Sequence, residues 1–214
     1  MQLVLENLPF LLKGAWYTLL ITVISMAFGL VIGLIVAIAR LKGNRLLRAL
    51  ARGYVSIIRG TPLLVQIFII YYGLVDFGIR LEPLPAAIIA LSINIGAYLS
   101  ETFRGAILSV PKGQTEAALS LGMTPWQTMR RIVLPQAARV AIPPMGNTFI
   151  GMLKETSLVS VIAVTELLRQ AQLLIAQYYV IMPFYLAIAL MYWLMSTLFS
   201  AILGYLEKRL SRAY

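Results

Sequence analysis

The stretch that decides the fold is residues 111–135, PKGQTEAALSLGMTPWQTMRRIVLP. It is polar and amphipathic, in a chain that is otherwise mostly apolar. Residues 116–121 are good helix formers, and Gly122 stands where a left-handed residue commonly ends a helix. The first half of the stretch therefore predicts a short helix that stops at Gly122.

The second half of the stretch carries the signals of a new helix. Thr124 is a good N-cap, Pro125 suits the first helical position, and Gln127 completes a T-x-x-Q capping box. An apolar face and two arginines follow, and Pro135 is expected to end the helix. The stretch thus predicts two short helices with a sharp break between them.

The spacing of these residues resembles the EAA loop of permease subunits of ABC importers. E-A-A is followed after three residues by glycine, and after nine more by I-V-L-P. The residues that carry the resemblance are Glu116, Ala117, Ala118, Gly122, Pro125, Ile132 and Pro135. A generic basic helix at the membrane surface is the alternative, but it does not account for Glu116, Gly122 and Pro135 together.

The resemblance implies an all-α integral membrane protein of the type I, MetI-like kind, with cytoplasmic coupling helices. In that family the loop docks into a groove on a separate ATP-binding subunit. Glu116 would enter the groove, Gly122 would allow the bend, and Trp126 and Ile132 would anchor the loop to the membrane helices.

Composition independently indicates a membrane protein, because 60% of the residues are hydrophobic and only 12% are charged. The chain has no Cys and no His, which excludes disulfides, argues against a zinc site and removes the usual general base of hydrolases. No cleavable signal peptide is expected at the start. The net charge of +10 lies in loops between apolar runs, so membrane orientation explains it better than nucleic acid.

Hydrophobic runs predict one domain, 1–214, with five transmembrane helices. A distortion is expected at residues 60–62, Pro143 and Pro144 are expected to open the fourth helix, and residues 170–182 are expected to be interfacial or re-entrant. Gly29 and Gly33 predict a close helix contact. The predicted spans are about 15–39, 58–76, 86–106, 141–164 and 184–206.

The basic residues predict the orientation. Of 18 Lys and Arg, 14 lie in residues 40–59, 104–139 and 208–212. The positive-inside rule then places the N-terminus outside, and the C-terminus and the loop in the cytoplasm.

Polar residues within the apolar runs are candidates for a substrate path, because charge is costly inside a bilayer. Asn94, Tyr98 and Glu101 share one helix face. Glu101 would face the path and receive an ammonium or guanidinium group, or it would only pair with Arg104 or serve packing. Weaker candidates are Asn147, Thr148 and Thr156.

The chain has no phosphate-binding loop, so no cofactor is expected on it, and ATP and Mg are expected on a partner subunit. Segments 59–66, 101–111 and 143–158 also resemble the polar amino acid branch of these permeases. That branch implies import of polar or charged L-amino acids across the bacterial cytoplasmic membrane. It also implies two ATP-binding subunits, an identical or paralogous second permease, an external amino-acid-binding protein and surrounding lipid.

Three alternatives stay open from the sequence. The solute could be methionine, a metal or a peptide. The chain could be a Ser/Lys hydrolase that uses Lys154 with Ser157 or Ser160, although no nucleophile motif is present. A secondary transporter is disfavoured, since five spans show no internal repeat.

Overall fold

The computed structural model describes residues 2–211, with side chains as far as residue 209. All regular secondary structure in this range is helical, which confirms the predicted all-α fold. The α-helices are α1 (Gln2–Glu6), α2 (Leu8–Lys42), α3 (Arg45–Gly60), α4 (Leu63–Tyr71), α5 (Pro83–Leu108), α6 (Lys112–Ser120), α7 (Pro125–Thr128), α8 (Leu134–Glu155), α9 (Leu167–Tyr178) and α10 (Met182–Ser211).

Within residues 2–211, α2, α5 and α10 are each long and apolar enough to cross a membrane. Two further candidates are pairs of helical segments joined at a bend. The first pair is interrupted at residues 61–62, and the second pair is interrupted at residues 163–166. If each pair counts as one span, the number reaches five. The count of five membrane spans therefore stays a prediction. The orientation also stays a prediction, and one of the basic residues on which it is based, Arg212, lies outside the described residues.

The centre of the bundle is the contact between α2 and α5. Gly29 faces Ile95, and a Cβ atom at Gly33 would lie 2.8 Å from the Leu99 Cβ atom. Two helices approach this closely only where one side offers no side chain. The predicted glycine contact is therefore confirmed as packing between these two helices.

Pro135 does not end a helix, contrary to the prediction. Residues Met129–Val133 form a π-helical turn that runs into α8, and Pro135 lies in the first turn of α8. The Leu134 amide bonds to the Met129 carbonyl, five residues back. This wider turn accommodates a residue that has no N–H to donate and whose ring would clash with a regular helical turn.

Pro143 and Pro144 also lie inside α8, so they do not open the fourth membrane segment. The hydroxyl of Thr148 donates to the Pro144 carbonyl oxygen at 2.8 Å. Prolines are tolerated inside membrane helices where side chains and neighbouring helices satisfy the freed backbone groups. The run from Pro125 to Glu155 is consequently one continuous helical rod.

The segment predicted as interfacial or re-entrant, residues 170–182, is mostly occupied by α9. This helix packs between α2 and α10, and Leu167, Ala171 and Leu174 are buried. It ends at Tyr179, which has φ 56° and is exposed, and Pro183 then lies in the first turn of α10. The division of the last apolar run near Pro183 is confirmed.

Candidate functional site

Residues 111–135, called the coupling loop after the family element they resemble, have the break that the sequence predicts. Gly122 has φ +79°, and the Met123 amide bonds to the Ala118 carbonyl at 3.1 Å. This is the hydrogen bond of a Schellman-type helix end, and a β-carbon would be strained at Gly122.

The capping box after the break is also formed. The Gln127 amide donates to the Thr124 hydroxyl oxygen at 3.2 Å, and the Thr124 amide donates to the Gln127 side-chain oxygen at 2.9 Å. Pro125 opens the helix. Local turn chemistry therefore ends the first helix of the loop and starts the second.

The loop exposes large apolar side chains together with a carboxylate, and its other exposed charges are the cations Lys112, Arg130 and Arg131. Glu116 and Ala117 are exposed, and so are Leu121 at 84% and Trp126 at 65%. The expectation that Trp126 anchors the loop inward is wrong for this chain. Exposed aromatic and aliphatic side chains of this size beside a carboxylate make a surface suited to a protein partner.

The residues that pack the loop together and against the bundle are small or β-branched. Ala118, Thr128 and Val133 are buried, while Ile132 is half-buried and Pro135 is exposed. Ala118 is consequently an internal packing residue of the loop, whereas its neighbours Glu116 and Ala117 are available to a partner.

In the membrane, the predicted distortion at residues 60–62 is a full break. The axes of the segments Arg45–Gly60 and Leu63–Phe77 differ by 108°. Gln66 spans the break, because its amide nitrogen donates to the Ile58 carbonyl at 2.8 Å and to the Thr61 carbonyl at 3.1 Å. The side chain thus satisfies carbonyls that a broken helix leaves without partners.

Asn94 completes this support and does not face an open path. Its amide nitrogen donates to the Gln66 side-chain oxygen at 2.9 Å, and both side chains are buried. A contact of Asn94 with solute is therefore not displayed in this conformation. Its position fixes α5 against the break between α3 and α4.

Tyr98 and Glu101 lie at the solvent-accessible side of α5. Tyr98 is 41% exposed, and the Arg59 guanidinium lies 5.1 Å from the centre of its ring. Glu101 receives Arg104 at 2.8 Å and also contacts Arg40. The expected Arg104 partner is confirmed, and the second arginine comes from α2.

The candidate residues on α8 and directly after it also divide into accessible and buried side chains. Asn147 is exposed and Thr148 is half-buried, whereas Thr156 is fully buried with its hydroxyl donating to the Leu153 carbonyl at 2.8 Å. Asn147 and Thr148 are therefore accessible, and Thr156 is an internal residue at the start of a 3-10 helix, Thr156–Ile162.

The Ser/Lys dyad considered from the sequence is not formed. The Ser157 hydroxyl donates to the Lys154 backbone carbonyl at 2.7 Å, and the Ser160 hydroxyl donates to the Ser157 carbonyl at 2.7 Å. Both hydroxyls cap the local backbone, so neither is paired with an amine that would activate it.

Sequence reasoning missed Arg40, Arg59 and Gln66 as members of the site. Gln66 is a single amide in an apolar run, and Arg59 directly precedes a Gly-Thr-Pro break, which are both readable signals. Arg40 gives no local signal, because it reaches Glu101 from a helix that is distant in sequence.

The sequence is similar to those of known proteins. Residues 29–212 match the family described as "Binding-protein-dependent transport system inner membrane component". The chain is 49% identical over 205 residues to the L-cystine transport system permease protein TcyB of Bacillus subtilis, covering 95% of this chain and 88% of that protein. It is 42% identical over 205 residues to the glutamine transport system permease protein GlnP of Escherichia coli, covering 95% and 94%.

Solved structures have the same fold. A crystal structure of an amino acid ABC transporter with histidines superposes with a TM-score of 0.93 at 39% identity, covering 96% of each chain. The inward-facing MetNI methionine ABC transporter superposes with a TM-score of 0.80 at 23% identity, covering 96% and 98%. With its long apolar helices and its EAA-like loop, this chain belongs to the family of binding-protein-dependent transport permeases, which are multi-pass proteins of the inner membrane.

Proposed function

We propose that this chain is the permease subunit of an ATP-driven importer for polar or charged L-amino acids. The support is twofold: two relatives, at 49% and 42% identity, carry names that specify cystine and glutamine, and the loop exposes Glu116, Leu121 and Trp126 to a partner. Hydrolysis of ATP with Mg takes place on a partner, since this chain has no phosphate-binding loop.

The observation that carries the proposal is the continuity between the exposed loop and the membrane. From Pro125 to Glu155 the backbone is helical without a gap, through the π turn and past both prolines. A displacement of the loop surface is therefore transmitted along a rigid element to Asn147 and Thr148 in the bundle. Motion of a rigid helix is a direct way to link two sites that lie far apart.

The proposed assembly contains two ATP-binding subunits, a second permease that is identical or paralogous, and an external amino-acid-binding protein. The N-terminus lies outside and the loop lies in the cytoplasm, as the distribution of basic residues favours. The proposed path runs along the accessible residues Tyr98, Glu101, Asn147 and Thr148, with Asn94 and Thr156 supporting it from inside.

The test is uptake and ATPase activity in proteoliposomes that contain the permease, its ATP-binding subunit and its binding protein, across a panel of amino acids. A few polar amino acids should stimulate ATP hydrolysis. Glu116→Lys places a cation on the docking surface, and Gly122→Asp strains the left-handed turn, so each should lower uptake at least a hundredfold while the protein stays in the membrane.

Lys112→Gln is the matched control, because Lys112 is exposed in the same loop and is outside the docking residues. It should transport normally. Normal transport by the Glu116 and Gly122 variants would remove the coupling assignment. Stimulation by a peptide, by methionine or by a metal ion, and by none of the polar amino acids, would reject the proposed substrate class.

A further inference from the structure

We propose that Arg59 is a substrate-binding residue, which receives the carboxylate group of the transported amino acid midway through the membrane. This inference rests on the proposed function and adds to it a residue and a recognition chemistry. It rests on the depth of Arg59, on the charge balance around it and on the rigid support of its backbone.

Arg59 is exposed, but it lies at the level of Tyr98, well away from the ends of α5 (Pro83–Leu108). Its guanidinium covers the ring of Tyr98, which is ten residues before the cytoplasmic end of α5 at Leu108. At 1.5 Å per residue this is about 15 Å along the helix. A cation at that depth is costly against hydrocarbon, so such residues face the interior or a water-filled path.

The surroundings of Arg59 have an excess of positive charge. Arg52, Arg59 and Arg104 are all close enough for their charges to act on Arg40. Glu101 forms ion pairs with two of these arginines, Arg40 and Arg104. Arg59 is exposed and forms no ion pair in this part of the chain.

This charge distribution favours binding of the substrate's carboxylate by an arginine, whereas the sequence favoured binding of its ammonium group by Glu101. Glu101 has both oxygens engaged by arginines, so it is not available to an incoming ammonium group. Arg52 and Arg59 form no ion pair within the described residues, and of these two it is Arg59 whose guanidinium lies over the ring of Tyr98. A planar guanidinium binds a carboxylate through two parallel hydrogen bonds, and it does so while stacked on an aromatic ring.

The backbone around Arg59 is held in place. Gln66 binds the carbonyls of Ile58 and Thr61, on both sides of Arg59, and Asn94 in turn holds Gln66. Tyr98 restrains the guanidinium from below. The break between α3 and α4 therefore presents a pre-organised cation, which lowers the entropic cost of binding a small anion.

The anion that fits is the carboxylate shared by all amino acids. A phospholipid headgroup would present the same kind of negative charge, but it resides at the membrane surface, about 15 Å from the level of Tyr98. A purely local role, in which Arg59 compensates the negative end of α3, would require no ligand. The experiment separates these three roles.

The assay measures binding of radiolabelled L-glutamine, L-arginine and L-cystine to the permease assembled with its ATP-binding subunit, without the binding protein. The competitors are the unlabelled amino acid and its methyl ester, which keeps the ammonium group and the side chain but removes the carboxylate charge. For the wild type, the ester should compete at least tenfold more weakly than the free acid.

Arg59→Gln should weaken binding of the free acid at least tenfold and should bring the ester and the acid to nearly equal strength. Arg59→Lys keeps the charge but cannot form the two parallel hydrogen bonds. Its affinity for the free acid should therefore lie between that of the wild type and that of Arg59→Gln. Arg45→Gln is the control, because Arg45 is an exposed arginine at the far end of the same helix, and it should behave as the wild type.

The inference is overturned if Arg59→Gln keeps the preference for the free acid over its ester. It is also overturned, in favour of a lipid role, if that variant changes only the response to phosphatidylglycerol in phosphatidylcholine vesicles. If Arg59→Gln does not fold, Arg59→Lys is the test, and a wild-type preference of this variant for the free acid over the ester overturns the inference. Failure of every amino acid to bind the wild type would reject the proposed substrate class itself, which is a different result from an unchanged ratio.

Discussion

Two glutamates of this chain, Glu166 and Glu101, solve the problem of a carboxylate inside a membrane bundle in opposite ways. Glu166 is fully buried and caps α9, where it accepts hydrogen bonds from the amides of Leu168 at 2.9 Å and Arg169 at 2.8 Å. Tyr192 of α10 donates its hydroxyl to the same carboxylate at 2.7 Å. Each of these partners is a dipole without a net charge.

Glu101 is accessible, with 22% of its side chain exposed, and its partners are the cations Arg104 and Arg40. Dipoles that are fixed by the backbone hold a charge in one place, so Glu166 joins α9 to α10. Long cationic side chains at an accessible face exchange partners more readily. The type of partner and the accessibility therefore distinguish Glu166, which stabilises the fold, from Glu101, which lies along the proposed path.

The largest effect on the fold is expected for Glu166→Ala. The change leaves two helix amides and a tyrosine hydroxyl buried without an acceptor, which should lower the free energy of unfolding by about 3 kcal/mol. Thermal melting of the purified protein in detergent measures this. Glu82→Ala, at an exposed glutamate, is the control, and equal melting of both variants would show that Glu166 is not a structural support.

A smaller effect is expected for Tyr192→Phe. This change removes one hydrogen bond to the same carboxylate and keeps the ring, so the loss should be about 1.5–3 kcal/mol. The matched control is Tyr185→Phe, because Tyr185 lies on the same helix and is 41% exposed. If the two variants have the same melting temperature, the hydrogen bond from Tyr192 contributes nothing measurable and the backbone amides are sufficient to stabilise Glu166.

The smallest effect on stability is expected for Glu101→Gln, about 1 kcal/mol, because this ion-pair cluster is partly exposed to solvent. Uptake should nevertheless fall at least tenfold. Without the carboxylate, Arg40 and Arg104 would compete with Arg59 for the substrate. Uptake assays and melting of the same preparation measure both effects, with Glu82→Gln as the control. A large loss of stability with normal uptake would place Glu101 in the same class as Glu166.

The coupling loop is the part of the site that could be predicted in detail. Its break and its restart depend on contacts within about five residues, such as the capping box between Thr124 and Gln127 and the left-handed turn at Gly122. Such contacts depend on local turn chemistry, so the residue types are sufficient to predict them.

The membrane part of the site could be predicted only as a set of polar positions. Asn94 and Glu101 were correctly placed on one helix, yet one binds Gln66 in the interior and the other binds Arg40 from α2. Periodicity along one helix contains no information on which neighbouring helix faces each turn. The partners and the accessibility of these residues therefore could not be derived from the pattern.

Pro135 illustrates the same limit on a local signal. A proline normally predicts the end of a helix, but here the preceding π turn and the packing of Val133 and Ala137 carry the helix through. Tertiary contacts supplied enough stabilisation to override a local preference.

By itself the sequence determined the helical membrane fold, the break within residues 111–135 and the close approach of a helix at Gly29 and Gly33, because composition, turn chemistry and side-chain size act locally. Only the tertiary structure decided that Asn94 supports the helix break, that Glu101 is shared by two arginines and that Arg59 lacks a counter-charge. These outcomes depend on distances between helices that are far apart in sequence, and charge balance is a property of everything packed around a group.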